Sequence, residues 1–207
     1  KCTNQYTHPS KRDNLLIEAH GYSKYYEKFF FKFKNDKINI LEIGSFYGNA
    51  SAALFFYFKN ANIFGADINP DMFNYNSNRL KSFYVNSSSE LSLKRDIIEK
   101  KIPFKIIIED ASHMLKDQII SLFHLFSTLQ SGGYFIVEEL DFPEKREDMR
   151  INQDFPDLKT ILKNVKNGKD FESIYVDESL KKYFLNNLDT IEFFEGNTNE
   201  MAIIKKK

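Results

Sequence analysis

The chain has 207 residues, a length that suits one domain with at most a small appendage. Its 29 basic residues balance 29 acidic ones, which argues against a dedicated nucleic-acid surface. Cys2 is the only cysteine, so no internal disulfide framework can form, and no apolar stretch is long enough to cross a membrane. We therefore expect a reducing, cytoplasmic location and neither a nucleic-acid partner nor a membrane partner.

The two ends of the sequence indicate little about function. No secretory signal peptide is visible, and the first residue is Lys1 rather than methionine, so we expect a trimmed chain or a domain of a longer protein. The sequence closes with Lys205, Lys206 and Lys207, which we predict to form a solubilising tail.

The predicted elements alternate between strands and helices up to Leu140. Apolar and charged residues over 15–33 have roughly helical spacing, interrupted at 20–22, and indicate an N-terminal helix. Short aliphatic runs predict strands, and the longer segments between them predict helices. The strands are expected over 38–43, 62–66, 82–85, 104–108 and 134–137, and the helices over 50–58, 88–100 and 114–129. This alternation predicts βαβ units around a parallel sheet.

After Leu140 the pattern changes. Residues 141–157 are charged and contain prolines, which predicts a loop or an insertion. Helices are then expected over 158–166 and 178–187, and strands over 190–194 and 201–204 with a turn at 195–197. The predicted fold class is α/β, with a Rossmann-like doubly wound sheet that is mostly parallel and ends in an antiparallel hairpin.

A glycine turn follows the first predicted strand. Glu42 precedes the turn, and Gly44 and Gly48 allow backbone conformations that other residues resist. The spacing is not GxGxxG, which weakens a dinucleotide interpretation, and an acid beside the turn suits a cationic or hydroxyl-rich ligand better than phosphate. Asp67 ends the second strand at about the interval of a ribose-binding acid. The alternative is ordinary turn glycines and an aspartate that caps a helix.

Two further apolar strands end in acid. The strand over 104–108 runs into Glu109 and Asp110, and the strand over 134–137 runs into Glu138 and Glu139. If these strands are neighbours, their carboxylates meet at the edge where open α/β sheets bind ligands. Crowded carboxylates repel one another unless a cation or protons intervene, and hard oxygen ligands favour Mg²⁺, Mn²⁺ or Ca²⁺ over zinc.

His113 lies three residues beyond Asp110. A neutral histidine there can remove a proton from a substrate hydroxyl, and metal coordination makes such a hydroxyl more acidic. The alternative is that Asp110 caps the helix near Met114, that Glu138 and Glu139 are solvated, and that the histidine is structural.

The strand, glycine turn and strand-ending acid resemble the first motifs of class I S-adenosylmethionine-dependent methyltransferases. In this resemblance Glu42, Gly44 and Ser45 match the turn under the methionine part of the cofactor, and Asp67 matches the ribose acid. Residues 86–88 lie where that family contacts adenine. The resemblance implies S-adenosylmethionine as cofactor, bound by Glu42, Gly44, Ser45, Phe46, Gly48, Asp67, Ser87 and Asp110.

A second pattern restricts the resemblance to one group of these methyltransferases. It consists of Asp-Ala-Ser-His at 110–113, Gly-Gly at 132–133 and Glu-Glu-Leu at 138–140. It is similar to the Mg²⁺-dependent sugar O-methyltransferases of macrolide pathways, of the mycinamicin and tylosin type. The resemblance implies that Asp110, Glu138 and Glu139 bind Mg²⁺ or another hard divalent cation, and that His113 is the general base. Glu139 departs from the usual aspartate, so the ligand geometry must shift. The implied partner is a small-molecule or saccharide acceptor, and analogy with relatives suggests a homo-oligomer.

The same resemblance divides the chain. It implies one methyltransferase domain over 1–207, with an N-terminal helical or lid segment (1–35), a cofactor-binding core (36–140), an acceptor-side insertion (141–189) and the terminal hairpin (190–207).

Three other functions stay open. They are a metal-independent small-molecule methyltransferase with a catechol-like or carboxylate acceptor, a non-catalytic nucleotide-binding or partner-binding module, and an NAD-dependent dehydrogenase, which the turn spacing disfavours.

Overall fold

The computed structural model describes residues 20–207, so Cys2 and the first part of the predicted N-terminal helix lie outside the described residues. The strands are β1 (Asn39–Ile43), β2 (Asn62–Asp67), β3 (Leu80–Tyr84), β4 (Phe104–Glu109), β5 (Leu129–Val137), β6 (Leu188–Glu195) and β7 (Glu200–Lys206). The helices are α1 (Ser23–Phe30), α2 (Asn49–Tyr57), α3 (Glu90–Asp96), α4 (Leu115–Leu125), α5 (Phe142–Lys145), α6 (Leu158–Lys166) and α7 (Glu178–Asn187). None of these helices combines the length and apolar character that crossing a bilayer needs.

The seven strands form one sheet in the order β3-β2-β1-β4-β5-β7-β6. The first five strands are parallel, and β7 pairs antiparallel with both β5 and β6. The predicted fold class is therefore confirmed. The strand order reverses between β1 and β4, and the carboxyl ends beside such a switch point form the usual ligand crevice of open α/β sheets.

Alternate residues of the central strands face two separate apolar layers. Leu41 and Ile107 belong to the core that packs against α4, α6 and α7, whereas Ile40 and Ile106 belong to the core under α1 and α2. Strands buried on both faces need nearly continuous apolar sequence, which is why β1 and β4 are rich in isoleucine and leucine.

Three helices begin at residues that sequence statistics favour as caps. Ser89 accepts a hydrogen bond from the Ser92 amide, and Asp157 and Asp177 accept bonds from amides three residues further on. Each side chain satisfies one of the amides that the first helical turn leaves without a partner. The bounds of α6 and α7 consequently agree with the prediction.

Several predicted boundaries were wrong. β3 begins at Leu80 rather than at residue 82, and β5 begins at Leu129 rather than at residue 134. The additional residues of β5 include a bulge opposite β4, where Gly132 adopts a φ of +64°. Residues 141–157, predicted as a loop or an insertion, contain the short helix α5.

The prediction of a solubilising lysine tail was also wrong. Lys205 and Lys206 belong to β7, and the Lys206 side chain is buried. Its ammonium donates to the Leu129 carbonyl at 2.7 Å and to the Tyr183 hydroxyl at 2.9 Å. A buried ammonium is tolerated here because these oxygens replace its water shell.

We expect Lys206→Met to lower the free energy of unfolding by about 1–3 kcal/mol, because it leaves buried acceptors without their donor. Urea denaturation measures the difference. Lys205→Met is the matched control, since Lys205 forms a partly exposed ion pair with Asp189 whose loss costs about 0–1 kcal/mol. Equal destabilisation by the two variants would contradict the structural role of Lys206.

Candidate functional site

The turn after β1 touches the loop after β4 through backbone. Gly44 has a φ of +87°, and a Cβ added there would overlap the carbonyl oxygen of Asp110. Its amide donates to the Ala66 carbonyl at 2.8 Å, which ties the turn to β2 as well. Only glycine fits this conformation and this close approach. Three strand ends are thereby held together at the switch point of the sheet.

Asp67 connects two of these loops through its carboxylate. One oxygen accepts from the Phe46 amide and the other from the Asn69 amide, both at 2.8 Å. The side chain is only partly buried, so its remaining acceptor positions face solvent. This carboxylate can accept further hydrogen bonds from a ligand without losing its own support.

A cleft of about 370 Å³ opens between the loops that follow β1, β2, β3 and β4. Five of the residues predicted to bind cofactor line it, and so does the predicted base His113. The lining consists of Ile43, Gly44, Phe46, Asp67, Ile68, Val85, Asn86, Ser87, Ser88, Asp110, Ala111, Ser112 and His113. The cleft thus combines apolar side chains with two acids, Asp67 and Asp110.

Three other predicted cofactor residues lie behind this lining. Glu42 is buried and accepts a hydrogen bond from the Ser51 hydroxyl of α2, and burial raises the pKa of its carboxyl to about 7. Ser45 is buried, and Gly48 packs against the ring of Phe73. These residues support the turn from below.

The predicted acidic edge is a buried cluster. Asp110 follows β4 and Glu138 and Glu139 follow β5, and the register that pairs Glu109 with Val137 brings these ends level. Asp110 is 5% exposed, Glu138 9% and Glu139 1%. The alternative of solvated glutamates is therefore wrong.

His113 joins this cluster. Its Nε2 lies 3.9 Å from an oxygen of Asp110, and its Nδ1 lies 3.9 Å from Oε2 of Glu139. One potential ligand atom from each of Asp110, His113 and Glu139 falls within 4.8 Å of the others. The helix α4 begins after Met114, whose amide donates to the Ser112 hydroxyl, so the alternative of Asp110 as helix cap is not supported.

The three acids of this cluster differ in how readily they ionise. Burial, together with the neighbouring glutamates, raises the pKa of Asp110 well above its usual range, and burial with Glu139 does the same for Glu138. Burial also opposes ionisation of Glu139, but the hydrogen bond with His20 and the nearby His113 lower its pKa overall. Three buried acids with so little positive charge beside them suit a hard divalent cation, whose charge would allow all three to ionise.

The side chain of His113 is uncharged. Burial lowers the pKa of its imidazole, so the ring carries no charge near neutral pH. Its φ of +58° and the +46° of Glu139 are rare for residues other than glycine, and Phe46 at +44° lies on the same cleft. Such backbone conformations concentrate at functional sites, where the surrounding structure maintains them.

A buried aspartate that sequence reasoning missed holds one wall of the cleft. Asp117, in the first turn of α4, accepts hydrogen bonds from the hydroxyls of Ser88 and Ser112. The two serines come from the loops after β3 and β4, and both line the cleft. In the sequence Asp117 is an ordinary first-turn acid, and no local pattern connects it with residue 88.

We expect Asp117→Ala to weaken ligand binding in the cleft by about 1–3 kcal/mol, because two hydroxyls lose their shared acceptor and the two loops lose their link. Isothermal titration with S-adenosylhomocysteine, the product form of the cofactor that the sequence resemblance implies, measures the change. Asp117→Asn keeps one acceptor oxygen and should lose less. An alanine variant with unchanged affinity and unchanged stability would contradict this role.

The N-terminal part of the described chain supplies two further contacts to the cluster. His20 Nδ1 contacts Oε1 of Glu139, and the Tyr26 hydroxyl donates to Oε1 of Glu138. From the sequence, residues 20–22 were an interruption of a helix and, by resemblance, part of the N-terminal segment that helps close the cofactor site, but nothing connected them with the acids.

The sheet order and the cleft at its switch point define a class I methyltransferase fold. The solved structures that match include the MycE methyltransferase of the mycinamycin biosynthetic pathway in complex with Mg and SAH, with a TM-score of 0.70 and 20% identity. The match covers 89% of this chain and 49% of that one. A second structure of MycE, with mycinamycin VI also bound, has the same TM-score. No family model matches the chain.

Curated relatives confirm the resemblance to sugar O-methyltransferases. The chain is 29% identical over 128 residues to 8-demethyl-8-alpha-L-rhamnosyl tetracenomycin-C 2'-O-methyltransferase of Streptomyces olivaceus, which covers 58% of this chain and 33% of the relative. It is 26% identical over 128 residues to mycinamicin VI 2''-O-methyltransferase of Micromonospora griseorubida, covering 58% and 32%. The chain thus spans about a third of the length of the curated relatives it matches.

Proposed function

We propose that this chain is an S-adenosylmethionine-dependent, metal-assisted O-methyltransferase that acts on a hydroxyl of a sugar or glycoconjugate. The observation that carries the proposal is the position of Asp110, which belongs both to the cleft lining and to the buried cluster with His113 and Glu139. A methyl donor in the cleft and a hydroxyl at the cluster would therefore meet. The names of the curated relatives support the reaction type and the class of acceptor.

The cleft would hold S-adenosylmethionine along the ends of the first four strands. The carboxylate of Asp67 would accept the ribose hydroxyls, and the loop at 86–88 would contact the adenine. The turn at Gly44 would lie under the methionine part, supported by the buried Glu42. Apolar side chains such as Ile68 and Val85 line the cleft between these polar groups, a combination that fits a flat base and a ribose.

The acidic cluster would bind the acceptor side. Asp110, Glu138 and Glu139 would hold Mg²⁺ or a similar cation, which when bound lowers the pKa of a coordinated hydroxyl. His113 would accept the hydroxyl proton, since its imidazole is neutral. The oxygen would attack the methyl carbon of S-adenosylmethionine, so that the new O–C bond forms as the C–S bond breaks and S-adenosylhomocysteine leaves. The protein would contribute alignment of the oxygen, carbon and sulfur atoms.

Isothermal titration with S-adenosylmethionine tests the cofactor half directly. Saturable binding that is weakened in the Asp67→Ala variant is the expected result. Asp71→Ala is a suitable control, because Asp71 lies in the turn that follows β2 and does not line the cleft. Absence of binding at millimolar cofactor would contradict the proposal. The acceptor itself, and a homo-oligomeric state, stay predictions from analogy.

A further inference from the structure

The segment before β1, residues 20–30, contacts both glutamates that follow β5. His20 Nδ1 contacts Oε1 of Glu139, and the Tyr26 hydroxyl donates to Oε1 of Glu138. Tyr26 is 112 positions away from Glu138 in the sequence. Each of two consecutive glutamates is therefore contacted by a polar side chain from the same short segment. Two such contacts are unlike the single contact that chance packing would produce.

The segment is fixed by contacts that do not involve the acids. The Asn197 amide donates to the His20 carbonyl at 2.8 Å, and a Cβ on Gly196 would overlap that same carbonyl. Gly21 adopts a φ of +70° and packs against the Asn197 side chain. Tyr22 is buried, and its hydroxyl is 3.3 Å from the Glu200 carbonyl. The β6–β7 hairpin thus determines where the His20 ring stands.

This placement selects which oxygen of Glu139 faces the rest of the cluster. His20 occupies Oε1, and Oε2 is the oxygen that lies 3.9 Å from Nδ1 of His113. Free rotation of the carboxylate would otherwise exchange the two oxygens. Ligating carboxylates are usually oriented by such outer hydrogen bonds, and removal of the outer partner typically lowers metal affinity by about 10–100-fold.

We propose that His20 and Tyr26 are positioning residues that orient Glu139 and Glu138 for a divalent cation. The inference rests on the proposed function and deepens it, because it makes cation affinity depend on docking of residues 20–30 against the hairpin. It also accounts for the glutamate at position 139. The side chain is long enough to reach both His20 and the Asp110–His113 side of the cluster.

Mn²⁺ binding to the cofactor-free protein tests this inference without any turnover. Titration with MnCl₂, followed by calorimetry or electron paramagnetic resonance, should show affinities about 10–100-fold weaker for His20→Ala and for Tyr26→Phe. Tyr75→Phe is the control, because the hydroxyl of this tyrosine donates to Oδ1 of Asn49 at 2.9 Å and contacts neither the acids nor the hairpin. It should bind Mn²⁺ like the unmodified protein. His20→Asn, whose side-chain amide can replace the Nδ1 donor, should recover part of the affinity.

Tyr26→Phe retains the ring and decides the question if His20→Ala fails to fold. Unchanged Mn²⁺ affinity in both folded variants would overturn the inference while leaving the proposed function in place. Absence of Mn²⁺ binding in the unmodified protein would also overturn it. Titration with S-adenosylmethionine would then show whether the cofactor half of the proposed function survives.

Discussion

Replacement of His113 by asparagine is expected to lower the rate of methyl transfer by about two to four orders of magnitude, the usual contribution of a general base. Asparagine is chosen because the residue has a φ of +58°, a conformation that asparagine adopts more readily than alanine. The imidazole is neutral and lies partly buried beside Asp110 and Glu139, whereas an amide cannot accept the hydroxyl proton. Initial rates with saturating S-adenosylmethionine and a glycoside acceptor measure the effect.

The control for this variant is His124→Asn. His124 lies at the end of α4, with its Nε2 3.6 Å from Glu90, and does not line the cleft. Its replacement should leave the rate and the cofactor affinity unchanged. A His113→Asn protein that folds, binds S-adenosylmethionine and retains near-normal turnover would remove His113 from the role of base.

Removal of divalent cations is expected to have an effect of similar size. Without a cation, burial and the neighbouring acids keep the pKa of Asp110 and Glu138 raised, so the cluster retains protons and cannot make an acceptor hydroxyl more acidic. Because a bound metal contributes several kcal/mol to such steps, treatment with EDTA should reduce turnover by about 100-fold or more. Added Mg²⁺ should restore it.

Thermal unfolding gives an independent measurement of cation binding, because a cation that binds the folded protein stabilises it. Mg²⁺ at 100 times its dissociation constant should stabilise the folded protein by about 2.7 kcal/mol. Asp110→Asn should lose this stabilisation, and Glu90→Gln, at an exposed position paired with His124, should keep it. Full turnover in EDTA, with no Mg²⁺-dependent stabilisation, would favour the metal-independent methyltransferase that the sequence left open.

The central part of the fold could be predicted because its signals are local. The aliphatic residues of β1 and β4 are numerous enough to predict buried strands, and helix signals alternate with the strands along the sequence. The strand-end rule then brought Asp110, Glu138, Glu139 and His113 together without any knowledge of distances. In the structure Asp110, His113 and Glu139 offer ligand atoms within 4.8 Å of one another, and the charge of Glu138 acts on Asp110.

The features that the sequence did not predict depend on contacts between distant parts of the chain. His20 and Tyr26 reach the acids only because the segment that contains α1 docks against the terminal hairpin. The spacing of residues in the sequence does not predict this docking. Lys206 looked like part of a polar tail because its buried acceptors, the Leu129 carbonyl and Tyr183, are distant in the sequence. Asp117 likewise acquires its role only when the loop after β3 lies beside α4.

The backbone contact at Gly44 has a consequence for how the two halves of the site can move. The turn under the cleft and the carbonyl of Asp110 are so close that no side chain fits between them. A displacement of either loop must therefore carry the other with it. We therefore expect the two loops to form a rigid base under both ligands. Any opening that lets the ligands enter or leave would then take place in the segments that cover the site, and not between the strand ends.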